Sequence, residues 1–457
     1  MSKDYSFSKK FVEGEAKSNS WNLLYYGAIS VNSFIIIYFL SVYEYGFYQL
    51  ILSVMAIAES LTAGFVNDLV FSNLSRFLGR GDVSVAKRLF GEYAILKMGL
   101  ALILGMALFL GAGIIADYYG QAIANFIKIV SVALIFRVGI STMNIFFQGA
   151  VYFSALASPV VGEGIKFLAV IAFVSQGNFS ILEVLIAYVI GHFAAFIFSA
   201  VHFARLYQGI FSGVIAVRKF VLKDLIKVHG IWVFWRYLLS RIGNNIRPWI
   251  IKVFLGTEAV GFYSFARNLI AIIVRLLPLG TLGVLFARET EDKERFRYIF
   301  ARVIKYSIFL SFSFFLTALL ILPPVLSWLF PKYDPALPLF KIMAGIIFLY
   351  GFYKILRMVL IAFQEQKALA IRSFDESVLA PLILLILLPF LGITGAALEW
   401  LVTYFITTIL FYAYLVRKYE FLRLRPKDIF KIDKYDRELF IKVYRIAYSF
   451  MLNWLKR

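Results

Sequence analysis

Long apolar runs alternate with short polar segments along most of the chain. A helix needs about 20 consecutive apolar residues to cross the hydrocarbon core of a bilayer. The pattern therefore predicts an all-α polytopic membrane protein with about twelve transmembrane helices. The predicted spans lie at about 20–40, 47–71, 91–113, 122–150, 156–176, 181–205, 231–254, 262–286, 301–322, 339–362, 369–390 and 395–416.

The connections between these spans differ in charge. Those after spans 2, 6 and 8 are rich in lysine and arginine, whereas those near 41–45, 117–121, 177–180 and 391–394 contain neither. Because basic loops stay in the cytoplasm, this alternation predicts a multi-pass protein of the cell (inner or plasma) membrane with both termini cytoplasmic. Lys332, in a predicted outer loop, departs from the pattern.

Composition and charge exclude several classes of function. Hydrophobic residues make up 61% of the chain, the mean hydropathy is +0.81 and the formal net charge is +20. Since the basic residues flank apolar runs, we expect them to meet anionic membrane lipids and expect no nucleic-acid partner. The absence of cysteine excludes disulfides and thiol catalysis. No phosphate-binding Gly-rich motif, activated nucleophile or metal-ligand cluster stands out, so we expect no catalytic residue, metal site or cofactor.

A repeated motif divides the chain into two halves. Glu44-Tyr-Gly-Phe-Tyr48 precedes span 2, and Glu258-Ala-Val-Gly-Phe-Tyr263 precedes span 8. An even number of spans separates the copies, which predicts two six-helix bundles related by a pseudo-twofold axis along the membrane normal. The predicted organisation is a bundle at 1–206, a cytoplasmic amphipathic linker at 207–230, a bundle at 231–416 and a basic cytoplasmic tail at 417–457.

Several arginines interrupt the apolar runs, most of them in the second half. An ionisable side chain deep in a bilayer is costly, so it usually faces the protein interior or a water-filled cavity. We expect a cationic cavity that binds an anionic substrate. The candidates, from those nearest the span centres to the one most able to reach the headgroups, are Arg137, Arg241, Arg275, Arg247, Arg267 and Arg236. Ser240 and Gly243 would leave room for a ligand beside them, and Pro278 offers a kink.

Acidic residues in the spans are candidates for binding a coupling cation, H+ or Na+. Glu59 and Glu163 lie near the midplane, and Asp68 lies nearer a helix end. Pairing with the arginines is the alternative for these carboxylates. Lys166 follows Glu163 by three residues, so an ion pair within one helix is expected there.

Four sequence stretches resemble a known group of transporters. The repeated Gly-Phe-Tyr motifs, Tyr333-Asp-Pro-Ala336 and Gly392-Ile-Thr-Gly-Ala-Ala397 resemble the polysaccharide-transporter branch of the multidrug/oligosaccharidyl-lipid/polysaccharide (MOP) exporter superfamily, and the O-antigen (Wzx-type) flippases in particular. The resemblance implies a MATE-like fold and a transporter that moves a polyprenyl-(pyro)phosphate-linked oligosaccharide to the outer leaflet by alternating access. Polysaccharide-assembly enzymes would be among its partners.

Two other functions stay open. A multidrug or organic-cation antiporter of the same superfamily would need an acidic or apolar site, which the arginines disfavour. A membrane glycosyltransferase or polymerase acting on polyprenyl-linked sugars would need a large outer loop with catalytic side chains. The longest predicted outer loop, 323–338, carries only Asp334 as an acid.

Overall fold

The computed structural model describes residues 21, 23–119, 121–177, 179–277, 279, 286, 292–363 and 365–430. Within these ranges every regular element is a helix, which confirms the predicted all-α fold. The helices are α1 (Leu23–Phe39), α2 (Val42–Leu61), α3 (Asn67–Arg80), α4 (Val83–Tyr119), α5 (Gln121–Gly149), α6 (Ser158–Ser175), α7 (Ile181–Phe211), α8 (Val221–Leu255), α9 (Thr257–Leu276), α10 (Lys293–Leu320), α11 (Leu322–Leu329), α12 (Leu337–Ala362), α13 (Gln366–Phe374), α14 (Ala380–Leu391), α15 (Ile393–Lys418) and α16 (Pro426–Phe430). Short 3-10 segments cover Gly64–Val66, Phe153–Ala157, Pro331–Ala336 and Glu420–Leu422, and a π-helical turn covers Asp375–Leu379.

The helices correspond to the predicted spans. In the described part of the chain, nine helical segments are long and apolar enough to cross a membrane, and α2 with α3 makes a tenth if the pair is one broken span. The remaining two predicted spans are α1, which is a shorter apolar helix, and α8, which is 35 residues long and carries the arginines of span 7. About twelve spans are therefore consistent with the structure.

Span 2, predicted as one helix over 47–71, is broken in the middle. The axes of α2 and α3 differ by 58°. Thr62 Oγ1 donates to the carbonyl oxygen of Glu59 (2.6 Å), and Ala63 has a φ of 58°, a left-handed conformation that cannot continue a right-handed helix. At Gly64 a methyl group would overlap the Tyr237 side chain of α8. The break therefore lies where α8 packs closely against the bend.

The described residues form two compact units. One comprises the described residues up to 272 and those within 318–344 and 372–403, and the other comprises the described residues within 273–317, 345–371 and from 404 to 430. We refer to them as the large and the small unit. The large unit has an aromatic core centred on Phe90, Phe146 and Phe147, and the small unit has a core that contains Phe296 and Phe300. The large unit includes α8 and most of α9, up to Ile272, so the units do not follow the boundaries of the two predicted bundles.

The predicted connections differ in length from those observed. Helix α7 continues to Phe211 and α8 begins at Val221, so only 212–220 of the predicted linker 207–230 is non-helical. Lys87 of α4 fixes this loop by donating to the carbonyl oxygen of Val214 (2.8 Å). Most of the predicted tail, 431–457, and Pro278 lie outside the described residues.

Candidate functional site

A polar cavity of about 250 Å³ lies inside the large unit. Helices α1, α2, α5, α6 and α7 contribute its walls. Its charged and polar lining includes Tyr25, Glu59, Arg137, Ser141, Asn144, Glu163, Lys166, Tyr188 and His192. A polar cavity among membrane-spanning helices is unusual, because ionisable groups there are retained mainly where they serve a pathway or pair with each other.

Arg137 and Glu59 meet at the edge of this cavity. The Nη2 atom of Arg137 lies 2.6 Å from Oε2 of Glu59, and Nη1 donates to the hydroxyl of Tyr188 at 2.6 Å. The two charged side chains are 31% and 27% exposed, so water can reach the pair. The structure thus joins the leading candidate for anion binding in the first half to a leading candidate for cation coupling.

Glu163 is more buried than Glu59 and contacts two polar side chains. Its Oε2 atom lies 3.4 Å from Nζ of Lys166, as the three-residue spacing predicted, and accepts a hydrogen bond from Nδ2 of Asn32 (2.7 Å). Both charged side chains are nearly buried. Gly162 and Gly191 allow α6 and α7 to approach closely, since a methyl group on either would press on the carbonyl oxygen of the other. The Glu163 carboxylate is therefore already neutralised within the helix packing.

A buried lysine beside the cavity was missed by the sequence reasoning. Lys97 of α4 is 2% exposed, and its Nζ donates to Ser141 Oγ (2.7 Å), Asn67 Oδ1 (3.0 Å) and the Tyr93 hydroxyl (3.0 Å). All three partners are neutral oxygens. Lys97 lies six residues inside predicted span 3, near enough to the helix end to suggest a side chain that reaches the headgroups. Ranking charged residues by their distance from the span centre therefore did not single out Lys97.

The other arginine candidates lie in different surroundings. Arg241 is exposed, with its guanidinium 5.4 Å from the ring centre of Tyr237, the residue that packs at the break in span 2. Arg267 is half-buried, 5.9 Å from the ring centre of Trp400. Arg275 is exposed and belongs to the small unit. The side chain of Arg236 lies outside the described residues.

Arg247 is enclosed in protein rather than facing a cavity. It is 2% exposed and its Nη2 lies 3.2 Å from Oε1 of Glu399, which is fully buried. Nη1 donates to Asn244 Oδ1 at 2.9 Å. The structure therefore gives this arginine a fixed carboxylate partner on α15, 152 residues away in sequence.

The face of α8 that was expected to leave room for a ligand is occupied. A methyl group at Gly243 would overlap the carbonyl oxygen of Glu376 in the π-helical turn, and Ser240 Oγ donates to Glu376 Oε2 (2.6 Å). Arg372 Nε lies 2.7 Å from the other oxygen of Glu376. The small residues of α8 thus serve close helix packing, and the expected space beside them is absent in this conformation.

The remaining acidic candidate has a local explanation. Asp68 is exposed in the first turn of α3, where a negative charge is favoured by the helix dipole. Among the residues that the structure describes, no group of three or more His, Cys, Asp or Glu side chains could hold a metal ion. Of the predicted site residues, the cavity therefore brings together Arg137, Glu59 and Glu163.

Solved structures share this fold. A structure described as the inward-facing conformation of a multidrug resistance MATE family transporter of the MOP superfamily is 14% identical, with a TM-score of 0.69 over 87% of this chain and 94% of that chain. Lipid II flippase MurJ in an inward closed conformation is 13% identical, with a TM-score of 0.66 over 96% and 93%. A MOP superfamily transporter from Pyrococcus furiosus, described as having a binding pocket of reverse polarity, is 14% identical, with a TM-score of 0.55 over 92% and 95%.

Sequence comparison supplies the family. No curated protein sequence matches the chain. Residues 39–330, more than half of the chain, match the family described as "Polysaccharide biosynthesis protein". The fold shared with these transporters agrees with the resemblance seen in the motifs. The chain thus belongs to this polysaccharide biosynthesis family and shares its fold with transporters of the MOP superfamily.

Proposed function

We propose that the protein is a flippase for a polyprenyl-(pyro)phosphate-linked oligosaccharide, which it carries from the cytoplasmic to the outer leaflet of the cell membrane by alternating access. The match to a polysaccharide biosynthesis family supports the substrate class. The shared fold with a protein described as a lipid II flippase supports the kind of movement. The alternation of basic and non-basic connections supports the orientation with cytoplasmic termini.

The observation that carries the proposal is the Arg137–Glu59 pair at the cavity edge. Arg137 uses one nitrogen for Glu59 and one for Tyr188, and almost a third of its side chain is exposed. A phosphate or pyrophosphate group offers several anionic oxygens to the planar guanidinium and can replace the single carboxylate oxygen that now occupies it. Arg137 is therefore the proposed phosphate-binding residue of the first half.

The same pair gives a physical basis for coupling. If the substrate takes the guanidinium, the Glu59 carboxylate loses its partner and gains affinity for H+ or Na+. Binding of the cation to Glu59 correspondingly releases Arg137 for the substrate, because the two effects are thermodynamically reciprocal. Glu163 is the weaker candidate, since Lys166 and Asn32 already hold its carboxylate.

Arg241 and Arg275 are proposed as further contacts for the anionic substrate, because both residues are exposed in the structure. Arg267 and Arg236 complete the candidate set. Arg247 is assigned to helix packing instead, since its charge is already balanced by a buried carboxylate.

Reconstitution tests the proposal. Purified protein is placed in liposomes with a fluorescent polyprenyl-pyrophosphate sugar, and the arrival of the label in the opposite leaflet is followed. We expect flipping by the wild type and its loss in Arg137→Gln. Lys128→Gln is the matched control, because Lys128 lies on the same helix against Phe109, outside the cavity lining. No flipping by the wild type, or equal flipping by Arg137→Gln, would contradict the proposal.

A second candidate function has one observation in its favour. Both Glu59 and Glu163 line the cavity, and carboxylates are suited to a lipophilic cation. If the protein is an organic-cation antiporter, the same liposomes should transport a fluorescent lipophilic cation. Glu59→Gln should then abolish the transport, while Arg137→Gln should leave it intact.

A further inference from the structure

The two copies of the repeated motif touch each other in the large unit. Gly46 of α2 faces Gly261 of α9. A methyl group on Gly46 would overlap the carbonyl oxygen of Thr257 and lie 2.7 Å from the Gly261 nitrogen, and one on Gly261 would overlap the carbonyl oxygen of Val42. The backbones of the two helices therefore cross in direct contact, which only glycine permits at both positions. We call the contact of Gly46 with Gly261 the glycine crossing.

Two hydrogen bonds between side chains accompany the glycine crossing. Asn268 Nδ2 donates to the Tyr45 hydroxyl at 2.7 Å, and Trp249 Nε1 donates to Ser53 Oγ at 2.7 Å. Tyr45 is 1% exposed and Ser53 is 5% exposed. The crossing and these two bonds exclude solvent from the space between α2, α8 and α9 at this end.

Lys332 fastens a third helix to the same end. Its Nζ donates to the carbonyl oxygens of Tyr38 (2.6 Å) and Leu40 (2.5 Å), at the carboxyl end of α1. Carbonyls there lack partners within the helix, and the helix dipole favours a positive charge. The neighbouring Tyr333 ring stacks on Phe265 of α9, with centroids 4.4 Å apart. The hydrogen bonds of Lys332 to the end of α1 explain why this lysine departs from the charge pattern of the predicted outer loops.

These contacts can separate at low electrostatic cost. The glycine crossing contains no charge, and the ammonium of Lys332 donates its hydrogen bonds to neutral carbonyl oxygens, which water can replace when the helices part. The Arg247–Glu399 pair is different, because separating it would leave a buried charge without a partner. The end of the large unit that carries Gly46, Gly261 and Lys332 is thus built for reversible contact.

We propose that Gly46, Gly261 and Lys332 are positioning residues that close the outer end of the transport pathway in one state of the cycle. They separate when the protein opens to the outside. This inference rests on the proposed flippase function for its place in the cycle, and on the charge pattern for the assignment of this end to the outside. It also accounts for the repeat itself, since each copy of the motif supplies one glycine of a pseudo-symmetric contact.

Thiol labelling tests the proposal without substrate. The chain has no cysteine, so Ser53→Cys provides a single reporter behind the glycine crossing. A thiol reacts only where a reagent can reach it. With a membrane-impermeant maleimide added outside, we expect slow labelling in the Ser53→Cys protein. Adding Gly46→Ala should raise the rate by about tenfold, because the closed state then requires displacement of backbone.

Two controls separate closure from general damage. Gly111→Ala, at a helical position of α4 with no atom near the added methyl, should leave the labelling rate unchanged. Lys332→Met should also raise the rate, whereas Lys332→Arg, which can still donate to the α1 carbonyls, should restore slow labelling. If Gly46→Ala does not fold, the comparison of Lys332→Met with Lys332→Arg still tests the proposal.

Equal labelling in all variants would overturn the proposal. Faster labelling of the variants only when the maleimide is added from the inner face would also overturn the proposal, because these residues would then close the inner end of the pathway. The outcome is independent of the flippase assay. Faster outer labelling in Gly46→Ala together with no flipping by the wild type would refute the proposed function and leave the closure supported. Flipping by the wild type with unchanged labelling would refute the closure alone.

Discussion

Arg137 and Arg247 each have a carboxylate partner, but the two pairs differ in their exposure to water. The Arg137–Glu59 pair is roughly a third exposed at a cavity, while Arg247 and Glu399 are buried almost completely. A water-exposed pair is worth little and exchanges partners readily. A buried ion pair stabilises the fold little more than apolar side chains would, yet removing one partner leaves the other as an unpaired buried charge. We therefore expect exchange at Arg137 and permanent packing at Arg247.

Replacing the buried pair tests this distinction. Arg247→Met alone should lower the free energy of unfolding by about 3–5 kcal/mol, because Glu399 keeps a buried charge without its partner. Arg247→Met with Glu399→Leu should recover most of the stability and should still flip substrate. Thermal unfolding in detergent and the liposome assay measure the two effects. A stable single variant that has lost flipping would return Arg247 to the substrate site.

Sequence spacing could identify some partners and not others. Lys166 and Glu163 are three residues apart on one helix, so their pairing followed from helical geometry. Glu376 and Arg372 are four residues apart and pair in the same way. Arg247 and Glu399 come together only through the packing of α8 against α15, and Lys97 is buried only because α3 and α5 surround it. Contacts of this kind depend on tertiary structure, which hydropathy does not encode.

At the scale of elements, the break between α2 and α3 is the least expected feature. Alanine pays an energetic penalty in the left-handed conformation of Ala63 that glycine avoids. Ala63→Gly should therefore leave stability unchanged or raise it by up to about 1 kcal/mol. Ala101→Gly, inside α4, should lower stability by about 1 kcal/mol. Thermal unfolding of both variants checks this, and an equal loss in the two would contradict the assigned break.

A hydrogen-bonded cluster in the small unit makes a pH prediction. Glu365, between α12 and α13, accepts from Lys418 Nζ (2.5 Å), Tyr419 OH (2.5 Å) and Tyr414 OH (2.7 Å). The hydrogen bonds from Lys418 and Tyr419 lower the pKa of Glu365 from its ordinary value of 4.5 to about 2. A lowered folded-state pKa stabilises the protein above the ordinary value and ceases to do so as pH falls through the folded value.

Glu365→Gln reveals the contribution of this cluster. Near pH 7 the variant should be less stable than the wild type by about 1 kcal/mol. The expected loss is small because Lys418 is half exposed, and water screens its interaction with the carboxylate. The difference should shrink as pH falls from 4.5 and vanish near 2. Thermal unfolding at several pH values measures it. A difference that stays constant across this range would show that the carboxylate charge is not responsible.

The spans were predictable because hydropathy is a local property. Each predicted span has a counterpart among the described helices, although α8 is too charged to meet an apolar criterion. The bend in span 2 was not predictable, since Thr62, Ala63 and Gly64 continue an apolar run in sequence. Its position becomes clear only when Tyr237 is seen against Gly64.

At the scale of the whole molecule, the repeat and the compact units give different divisions of the chain. The repeat predicts two bundles of six spans, but α8 and α9 up to Ile272, from the second copy, belong to the large unit with the first copy. The glycine crossing and the Trp249–Ser53 and Asn268–Tyr45 hydrogen bonds explain this membership. In an alternating-access cycle these contacts would form and break, so the composition of the units should change between states.

The central claim is that Arg137 exchanges Glu59 for the phosphate of the substrate. Its most direct test is the dissociation constant of a polyprenyl pyrophosphate for purified protein in detergent. Glu59→Gln should bind about tenfold more tightly than the wild type, and Arg137→Gln about tenfold more weakly, each equivalent to about 1.4 kcal/mol. Glu163→Gln should bind as the wild type does, because Lys166 and Asn32, not Arg137, hold that carboxylate. Unchanged affinity in both Glu59→Gln and Arg137→Gln, or a shift in the same direction, would contradict the account.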